Sequence, residues 1–445
     1  MKMSFRNFTL FVFLILFSLI IKDDIYAIPS FARQTNMGCN ACHTIFPELT
    51  AFGRQFKLNG YTLVASETIQ AMSDSETVGL RIPKLPPISA MMITSYTYKS
   101  KAQPNTQNGN FSFPQQLSLF YGGSITPKIG SFIQLTYDDQ SGQIGLDNSE
   151  IRFADQTELG DESLAYGITL NNNPSMQDLW NSTPSWRFPY TASSVVPNPE
   201  ASTLVEGGLA QNVVGLGLYG LWNNLIYTEV TVYRSAQQGA PNPPDSSSVG
   251  ILKSVAPYWR VALQKQFDTF YMELGTFGMS ANIYPTGIAG MTDQYTDVGV
   301  DLNMEKPVGS NLLTLHGSWI HETQKWDASF NSGNTAYSAG ALNSFNLVGN
   351  YILHSQFQFS LDYFLISGDN DPIIYAPASV TGSINGYPNS NGLIFEFDYL
   401  PWYNTKLSVQ YMAYNKFNGS GSNYDGQGRS ASDNNNLYLS CWTAF

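Results

Sequence analysis

About sixteen runs of roughly ten residues, in which apolar and polar side chains alternate, follow one another from residue 88 to the last residue. In one of them Phe359 and Leu361 share a face, while Ser360 and Asp362 share the opposite face. The runs begin near residues 89, 113, 129, 147, 163, 212, 225, 255, 269, 294, 311, 341, 356, 392, 404 and 436. A period of two predicts β-strands.

The connections between these runs alternate between short and long. The short ones include 126–128, 223–224, 267–268, 354–355 and 401–403. The long ones include 171–211, 236–254, 280–293, 324–340, 368–391 and 416–435. An even number of long strands with this pattern predicts an all-β fold, a transmembrane antiparallel β-barrel of about 16 strands over residues 85–445. The alternative is a periplasmic or surface array of β-sandwiches, which would show the same alternation.

The composition fits a barrel and excludes other classes of protein. Charged residues make up 13% of the chain, aromatic residues 14%, and the net charge is −12. The aromatic content argues against disorder, the acidity against binding to nucleic acid, and three cysteines cannot form a disulfide scaffold. Phe445 ends a last alternating run, as is common in exported barrels, and Cys441 in that run is expected to be unpaired.

Residues 1–27 have the features of a signal peptide. Lys2 and Arg6 precede the uncharged apolar run 8–21, and Ala27 offers a small residue at the cleavage point. The alternative is a membrane anchor, but this run is shorter than the roughly 20 residues that a spanning helix needs. We therefore expect Sec-type export. Residues 28–84 then form a small N-terminal segment, which ends in the proline-rich linker 83–87.

The small segment contains a C-x-x-C-H motif formed by Cys39, Cys42 and His43. This is the attachment signature of a c-type haem: two thiols bond to the porphyrin, and the adjacent imidazole becomes the proximal iron ligand. A redox dithiol and half of a zinc site are the alternatives. Zinc would need further ligands, and the rest of residues 28–84 has no other Cys or His. The motif predicts one covalent haem c.

The residues after the motif predict a short helix that begins near a Thr44 cap and ends near Gly60. Leu49, Phe52 and Phe56 would share one face, which packs either on the porphyrin or on the barrel wall. The candidate partners of the haem propionates are Arg33, Arg54 and Lys57, which could instead be ordinary solvated or lumen-facing charges.

The sixth iron ligand is open at this stage. Met72 is the first candidate, His316 is a second, Met37 is too near the motif, and the iron could also lack a sixth ligand. A segment of about 55 residues rarely buries enough apolar surface to fold alone. We therefore expect it to plug the barrel lumen, which is wide enough in a 16-stranded barrel.

The N-terminal segment and one long loop resemble the outer-membrane fused cytochrome–porins of iron-oxidising bacteria. The matching residues in the segment are 29–35, Met37, Cys39, Cys42, His43, 47–49, 52–54, 56–57 and 60–61. Those in the loop are 171–174, 180–184 and 188–190. The resemblance implies a mono-haem cytochrome joined to a porin. Such a protein takes electrons from extracellular Fe(II) and passes them to a periplasmic cytochrome or copper protein.

Several carboxylates fall on the predicted lumen face: Glu150, Glu229, Glu273, Asp297, Asp301, Asp362, Glu396 and Asp398. Fewer basic residues do so, namely Arg152, Arg260 and Lys406. An acidic lumen concentrates cations, and carboxylates suit iron. Two functions remain: an Fe(II)-oxidising electron-transfer protein, which could be classed as an oxidoreductase, or a cation-preferring porin whose cytochrome serves another donor or senses redox state. Loop 171–211 is expected to fold into the lumen or to remain on the surface.

Overall fold

The computed structural model describes residues 30–63, 68–72, 79–84 and 86–445, with side chains omitted at 68–72 and 79–82. The expected signal peptide, 1–27, lies outside the described residues. The helices are α1 (Ser30–Thr35), α2 (Cys39–Cys42), α3 (Ala51–Leu58) and α4 (Asp327–Asn331). Single helical turns are found at Pro184–Trp186, Leu204–Gly208 and Ala431–Asn434. In the described part of the chain, no helix has the length and apolar character to cross a membrane.

Within the residues that the structure describes, nineteen strands follow one another along the chain. They are β1 (Thr68–Met72), β2 (Gly79–Pro83), β3 (Ile88–Lys99), β4 (Asn110–Thr126), β5 (Ile129–Asp138), β6 (Gln143–Leu159), β7 (Glu162–Asn171), β8 (Val213–Trp222), β9 (Ile226–Ser235), β10 (Val249–Leu252), β11 (Ala256–Gln266), β12 (Tyr271–Thr286), β13 (Asp293–Val308), β14 (Asn311–Lys325), β15 (Ala339–Leu353), β16 (Phe357–Gly368), β17 (Ser390–Trp402), β18 (Thr405–Lys416) and β19 (Asn436–Ala444). The hairpin β1–β2 is separate, and its register pairs Thr68 with Pro83.

The other strands form one antiparallel sheet that closes into a 16-stranded barrel, as the sequence predicted. Each strand pairs with its sequence neighbour, and β19 pairs with β3 to close the ring, with Ala444 opposite Met91. The short strand β10 is additional, because β9 pairs directly with β11 and β10 lies beside the extended end of β12. A closed barrel leaves no strand edge without a partner.

The outer surface is apolar and the inner surface is polar. On β16, Phe359 is 51% exposed and Leu361 is 49% exposed, whereas the alternate residues Gln358, Ser360 and Asp362 are buried inside. The predicted faces of this run are therefore confirmed. This polarity is opposite to that of a soluble protein, and it is the pattern of a barrel whose exterior meets lipid.

The two ends of the barrel differ. At the short-turn end, defined by turns 127–128, 160–161 and 403–404, the strands are joined by a few residues. At the long-loop end, 369–389 and 417–435 are among the long connections. This difference matches the alternation predicted from the sequence.

One long connection, the inward loop of residues 172–212, lies inside the barrel. Gln177, Trp180, Thr183 and Phe188 are each at most 1% exposed. Ser182 donates a hydrogen bond to Asp301 of β13 at 2.5 Å, and Gln410 of β18 donates one to Thr191 O at 3.0 Å. The loop therefore lies inside the lumen and contacts separate parts of the wall, in agreement with one of the two expectations.

The N-terminal residues 30–63, called the plug, fill the lumen near the short-turn end. Tyr61 donates a hydrogen bond to Glu150 of β6 at 2.8 Å, and Tyr219 of β8 donates one to Leu58 O at 2.8 Å. On another side, Phe46 stacks on Trp442 of β19 with ring centroids 4.3 Å apart. Contacts on several sides of the ring place this segment inside the barrel.

Candidate haem site

The C-x-x-C-H motif folds as one helical turn. The backbone N–H of His43 donates to Cys39 O at 2.9 Å and closes helix α2. Residues three apart on a helix lie on the same side, so the thiols of Cys39 and Cys42 face one way. Burial raises the pKa of Cys39, and burial together with the nearby Cys39 raises the pKa of Cys42 to about 11. Catalytic dithiols need a lowered thiol pKa, so these cysteines do not favour the redox-dithiol alternative.

His43 has the geometry of a metal-ligating histidine. Its Nδ1 lies 3.1 Å from Pro47 O, and because a carbonyl only accepts, Nδ1 must donate. This hydrogen bond fixes the tautomer and leaves the Nε2 lone pair for a metal. Burial lowers the pKa of His43 to about 4, which keeps the imidazole neutral, as a ligand must be. Together with two thiols on one helical turn, this imidazole fits a covalently attached haem.

A zinc site, the other alternative, would need ligands in addition to the two thiols. Among the residues that the structure describes, no group of three or more His, Cys, Asp and Glu side chains is arranged to hold a metal ion.

Cys441, expected to be unpaired, is a free cysteine on β19 beside Thr443.

Helix α3 packs directly against the motif. Thr50 N donates to Cys42 O at 2.9 Å, and the Thr50 hydroxyl accepts from Gly53 N at 3.1 Å as the helix cap. A Cβ at Gly53 would lie 2.1 Å from Cys42 O, so only glycine permits this approach. The predicted cap at Thr44 is wrong. Residues 44–48 form a turn in which Thr44 N donates to Glu48 O, and the helix begins at Ala51.

The predicted apolar face of this helix is partly retained. Phe56 is buried against Phe31 and Tyr61, with ring centroids 5.1 and 5.9 Å away, and Phe52 lies 6.5 Å from Phe56. Leu49 precedes the helix and is not part of its face. Contact of Phe52 and Phe56 with a porphyrin stays a prediction. Gly60 follows the helix with φ +64°, consistent with its predicted position at the helix end.

The three predicted propionate partners bind protein groups. Arg54 forms a salt bridge with Glu305 of β13 and lies over the Tyr271 ring at 4.5 Å. Lys57 Nζ donates to the carbonyls of Met176 and Asp178 at 2.7 and 2.6 Å. Arg33 donates to Ile88 O. Arg54 and Lys57 are therefore lumen-facing charges, which was the stated alternative. The propionate roles of all three residues stay predictions.

The candidates for the sixth ligand are separated by the fold. Met72 ends β1, but its side chain lies outside the described residues, so that role stays a prediction. Met37 is 43% exposed beside the motif. His316 points into the lumen, as expected, but both ring nitrogens are engaged: Nε2 contacts Glu48 Oε1, and Nδ1 lies 3.2 Å from Asn303 Nδ2.

The barrel wall holds the loop 43–49, which we call the His43 loop. Ile45 packs against Ile352 and Leu400, Phe46 stacks on Trp442, and Glu48 meets His316. These wall contacts were not predicted from the sequence. An inward-facing aromatic such as Trp442 on an otherwise polar lumen face is the one local signal that could have indicated a contact with the plug.

The predicted lumen carboxylates all lie inside, and each is at most 5% exposed. Several are paired with arginine: Arg260 binds Asp301 and Glu273 at 2.7 and 3.0 Å, and Arg152 binds Glu150 at 2.8 Å. These ion pairs are fully buried beneath the plug and the inward loop. In the structure they join protein segments and do not line an open, acidic channel.

The plug and the inward loop are bonded to each other. Leu49 N donates to Asn181 Oδ1 at 3.0 Å, in addition to the bonds of Lys57 to the loop. Arg152 of β6 donates to Lys57 O and Gln177 O at 3.1 and 3.0 Å, and so joins the wall, the plug and the loop. The two segments form one continuous filling of the lumen.

No protein-family model matches this chain, and no curated protein sequence matches it either. Solved structures with a similar strand arrangement include the anion-selective porin from Comamonas acidovorans, with 12% identity, a TM-score of 0.46, and coverage of 80% of this chain and 98% of that one. OmpF of Salmonella typhi in complex with daunomycin has 10% identity, a TM-score of 0.45, and coverage of 80% and 97%. The outer membrane channel DcaP of Acinetobacter baumannii has 11% identity, a TM-score of 0.44, and coverage of 80% and 96%. The barrel assignment rests on the closed strand pairing described above.

Proposed function

We propose that this protein is an outer-membrane electron-transfer protein with one covalent haem c inside its barrel. Cys39 and Cys42 would hold the porphyrin, and His43 would be the proximal ligand of the iron. The haem, when bound, supplies a one-electron redox centre. The observation that carries this proposal is the His43 imidazole, which donates from Nδ1 to Pro47 O and leaves Nε2 for a metal, directly after two thiols on one helical turn.

The filled lumen favours electron transfer over solute transport. Arg152 and Arg260 on the inner wall have no exposed surface, because the plug and the inward loop cover them. A general pore needs a continuous water path, whereas an electron can tunnel through packed protein. This supports the electron-transfer function over the alternative, a cation-preferring porin with a redox-sensing cytochrome.

The fold also supports a direction for the electron. In exported barrels the short turns face the periplasm and the long loops face outward. The plug lies near the short-turn end, where Met37 and Asn40 are exposed and Asn40 donates to the Tyr403 hydroxyl at 3.2 Å. A periplasmic carrier, a cytochrome or a copper protein, would take the electron at this end. The donor would act from the outside.

Fe(II) is the donor that we propose. The resemblance of residues 29–61 to fused cytochrome–porins supports it. Export by a Sec-type signal and residence in outer-membrane lipid complete the proposal.

The test is a spectroscopic one. The full chain would be expressed in a host with a c-type cytochrome maturation system, purified in detergent, oxidised and mixed with Fe(II). We expect covalent haem, which remains on the denatured chain, and rapid appearance of reduced c-type absorption bands. Absence of covalent haem would overturn the cytochrome assignment. Covalent haem that Fe(II) does not reduce at any pH, although dithionite does, would overturn only the choice of donor.

A further inference from the structure

One polar contact of the His43 loop is made by a residue of the barrel wall, in addition to the bond of Leu49 N to Asn181 of the inward loop. Within the loop, Thr44 N donates to Glu48 O at 3.0 Å and Glu48 N donates to Ile45 O at 2.9 Å, so its backbone is a closed turn. Ile45 and Phe46 attach this turn to the wall by apolar packing, which fixes position better than direction. The Glu48 carboxylate attaches it by a hydrogen bond to the imidazole of His316.

His316 is itself held in one orientation. It lies opposite Asn303 in the register of β13 and β14, and its Nδ1 is 3.2 Å from Asn303 Nδ2. The Asn303 amide also donates to Trp180 O at 2.9 Å, which identifies its nitrogen and makes His316 Nδ1 an acceptor. Nε2 then carries the hydrogen and donates it to Glu48. Both His316 and Glu48 are at most 3% exposed, so no water competes for this bond.

The residue that contacts His316 is the direct neighbour of the residue that contacts His43. The carbonyl that accepts from His43 Nδ1 belongs to Pro47, and its carbon is bonded to the backbone nitrogen of Glu48. A change in the position of Glu48 therefore rotates the peptide group that His43 donates to. Such an outer hydrogen bond sets the basicity and orientation of a ligating imidazole.

We propose that His316 is a positioning residue for the haem: from the barrel wall it holds Glu48, and thereby aims the Pro47 carbonyl at His43. This inference rests on the proposed function, because it concerns the haem that His43 would bind. It assigns a role in tuning the redox centre to a residue that is 268 positions away from Glu48 in the chain. Ligand hydrogen bonding is one of the means by which a protein sets a haem potential.

The experiment compares His316→Leu, His316→Gln and the control His321→Gln in the full chain. Leucine removes the donor to Glu48, whereas glutamine keeps an N–H near it. His321 lies on the same strand β14 and bonds Asn343, away from the plug. Covalent haem is measured on the denatured chain, and the haem potential is measured by spectroelectrochemistry in detergent.

We expect all three variants to retain covalent haem. A weaker hydrogen bond makes His43 a poorer donor to ferric iron, so His316→Leu should raise the ratio of reduced to oxidised haem at least threefold at a fixed solution potential. His316→Gln should restore most of the parent ratio, and His321→Gln should leave it unchanged. A role in packing alone would not separate leucine from glutamine in this way.

Asn303→Ala is a second variant, which keeps the experiment decisive if His316→Leu does not fold. It frees His316 Nδ1 and should shift the ratio in the same direction by a smaller factor. Haem that is attached but shows the parent ratio in His316→Leu, or in Asn303→Ala where the leucine variant does not fold, overturns the inference and leaves the proposed function intact. Absence of covalent haem from the parent chain overturns the proposed function itself.

Discussion

The plug and the inward loop fill the same lumen, but they are attached to it differently. The plug reaches outward with charged side chains, as when Arg54 binds Glu305. The inward loop offers backbone N–H groups to wall carboxylates, as when Leu204 N and Val205 N donate to Glu322 and Asp297 at 2.6 and 2.8 Å. A backbone donor is present whatever the side chain, whereas the bond of Arg54 to Glu305 depends on one residue type.

The two segments are therefore expected to have different roles: the plug binds the cofactor, and the inward loop closes the lumen. The residues that fit a cofactor are confined to the plug, at the short-turn end, while the inward loop lies beyond it and covers the ion pairs of the wall. We therefore expect substitutions in the plug to alter haem binding, and changes in the loop to alter permeability. Four predictions test this separation, in order of decreasing effect.

The largest effect is expected from Cys39→Ser combined with Cys42→Ser. Without thiols no thioether bond can form, so covalent haem should be lost completely while the barrel still folds. The measurement is haem-dependent peroxidase staining of the denatured chain. Cys441→Ser, on β19, is the matched control and should retain full staining. Retention of stain in the double variant would refute the assignment of the motif.

The second effect concerns the closure of the lumen by the inward loop. Replacing residues 184–200 of the inward loop by a short Gly-Ser linker should raise conductance in planar bilayers at least tenfold, because Phe188 and its neighbours no longer fill the lumen. Haem content should remain that of the parent. Replacement of the largely exposed connection 237–247 by the same Gly-Ser linker is the control and should leave conductance low. A parent chain that conducts as freely as the loop variant would show that the lumen is not sealed.

The third effect is local to the plug. Gly53→Ala places a Cβ against Cys42 O and forces α3 away from the motif, at a cost of about 1–3 kcal/mol as for other overpacked sites. The expected result is lower haem occupancy and a lower denaturant midpoint, with unchanged conductance. Gln55→Ala, on the same helix, should change neither. Equal behaviour of the two variants would mean that the close approach of α3 is unimportant.

The smallest effect tests where helix α3 begins. Thr50→Ala removes the helix cap and should lower the free energy of unfolding by about 1 kcal/mol. Thr44→Ala removes a hydroxyl that caps nothing and should have a smaller effect. The two denaturant midpoints decide the matter, and the opposite order would support the helix start predicted from the sequence.

The barrel could be predicted from the sequence because its signal is local. Alternation along each run fixes a strand and its inner face, and the predicted starts at 147 and 436 compare with observed starts at 143 and 436. The helix start was wrong, because Thr44 and Thr50 are both suitable caps. The choice between them depends on the contact of Thr50 with Cys42 O, which is tertiary.

The candidate site likewise has parts that could be predicted from the sequence and parts that could not. The C-x-x-C-H motif is contiguous, so its residues were visible in the sequence. The pairing of Glu48 with His316 and the stacking of Phe46 on Trp442 were not, because each joins the plug to a strand far along the chain. The lumen carboxylates were placed on the correct face, but their ion pairs depend on how the inward loop folds back, which no local pattern indicates.

The pairing of β19 with β3 has a consequence for biogenesis. The ring closes where β19 pairs with β3. The plug precedes β3 in the chain, and its Phe46 packs on Trp442 of β19. The site on which Phe46 stacks is therefore complete only when β19, the last strand of the barrel, has joined the wall. Docking of the plug and closure of the ring are thereby coupled, because both need β19 in its place.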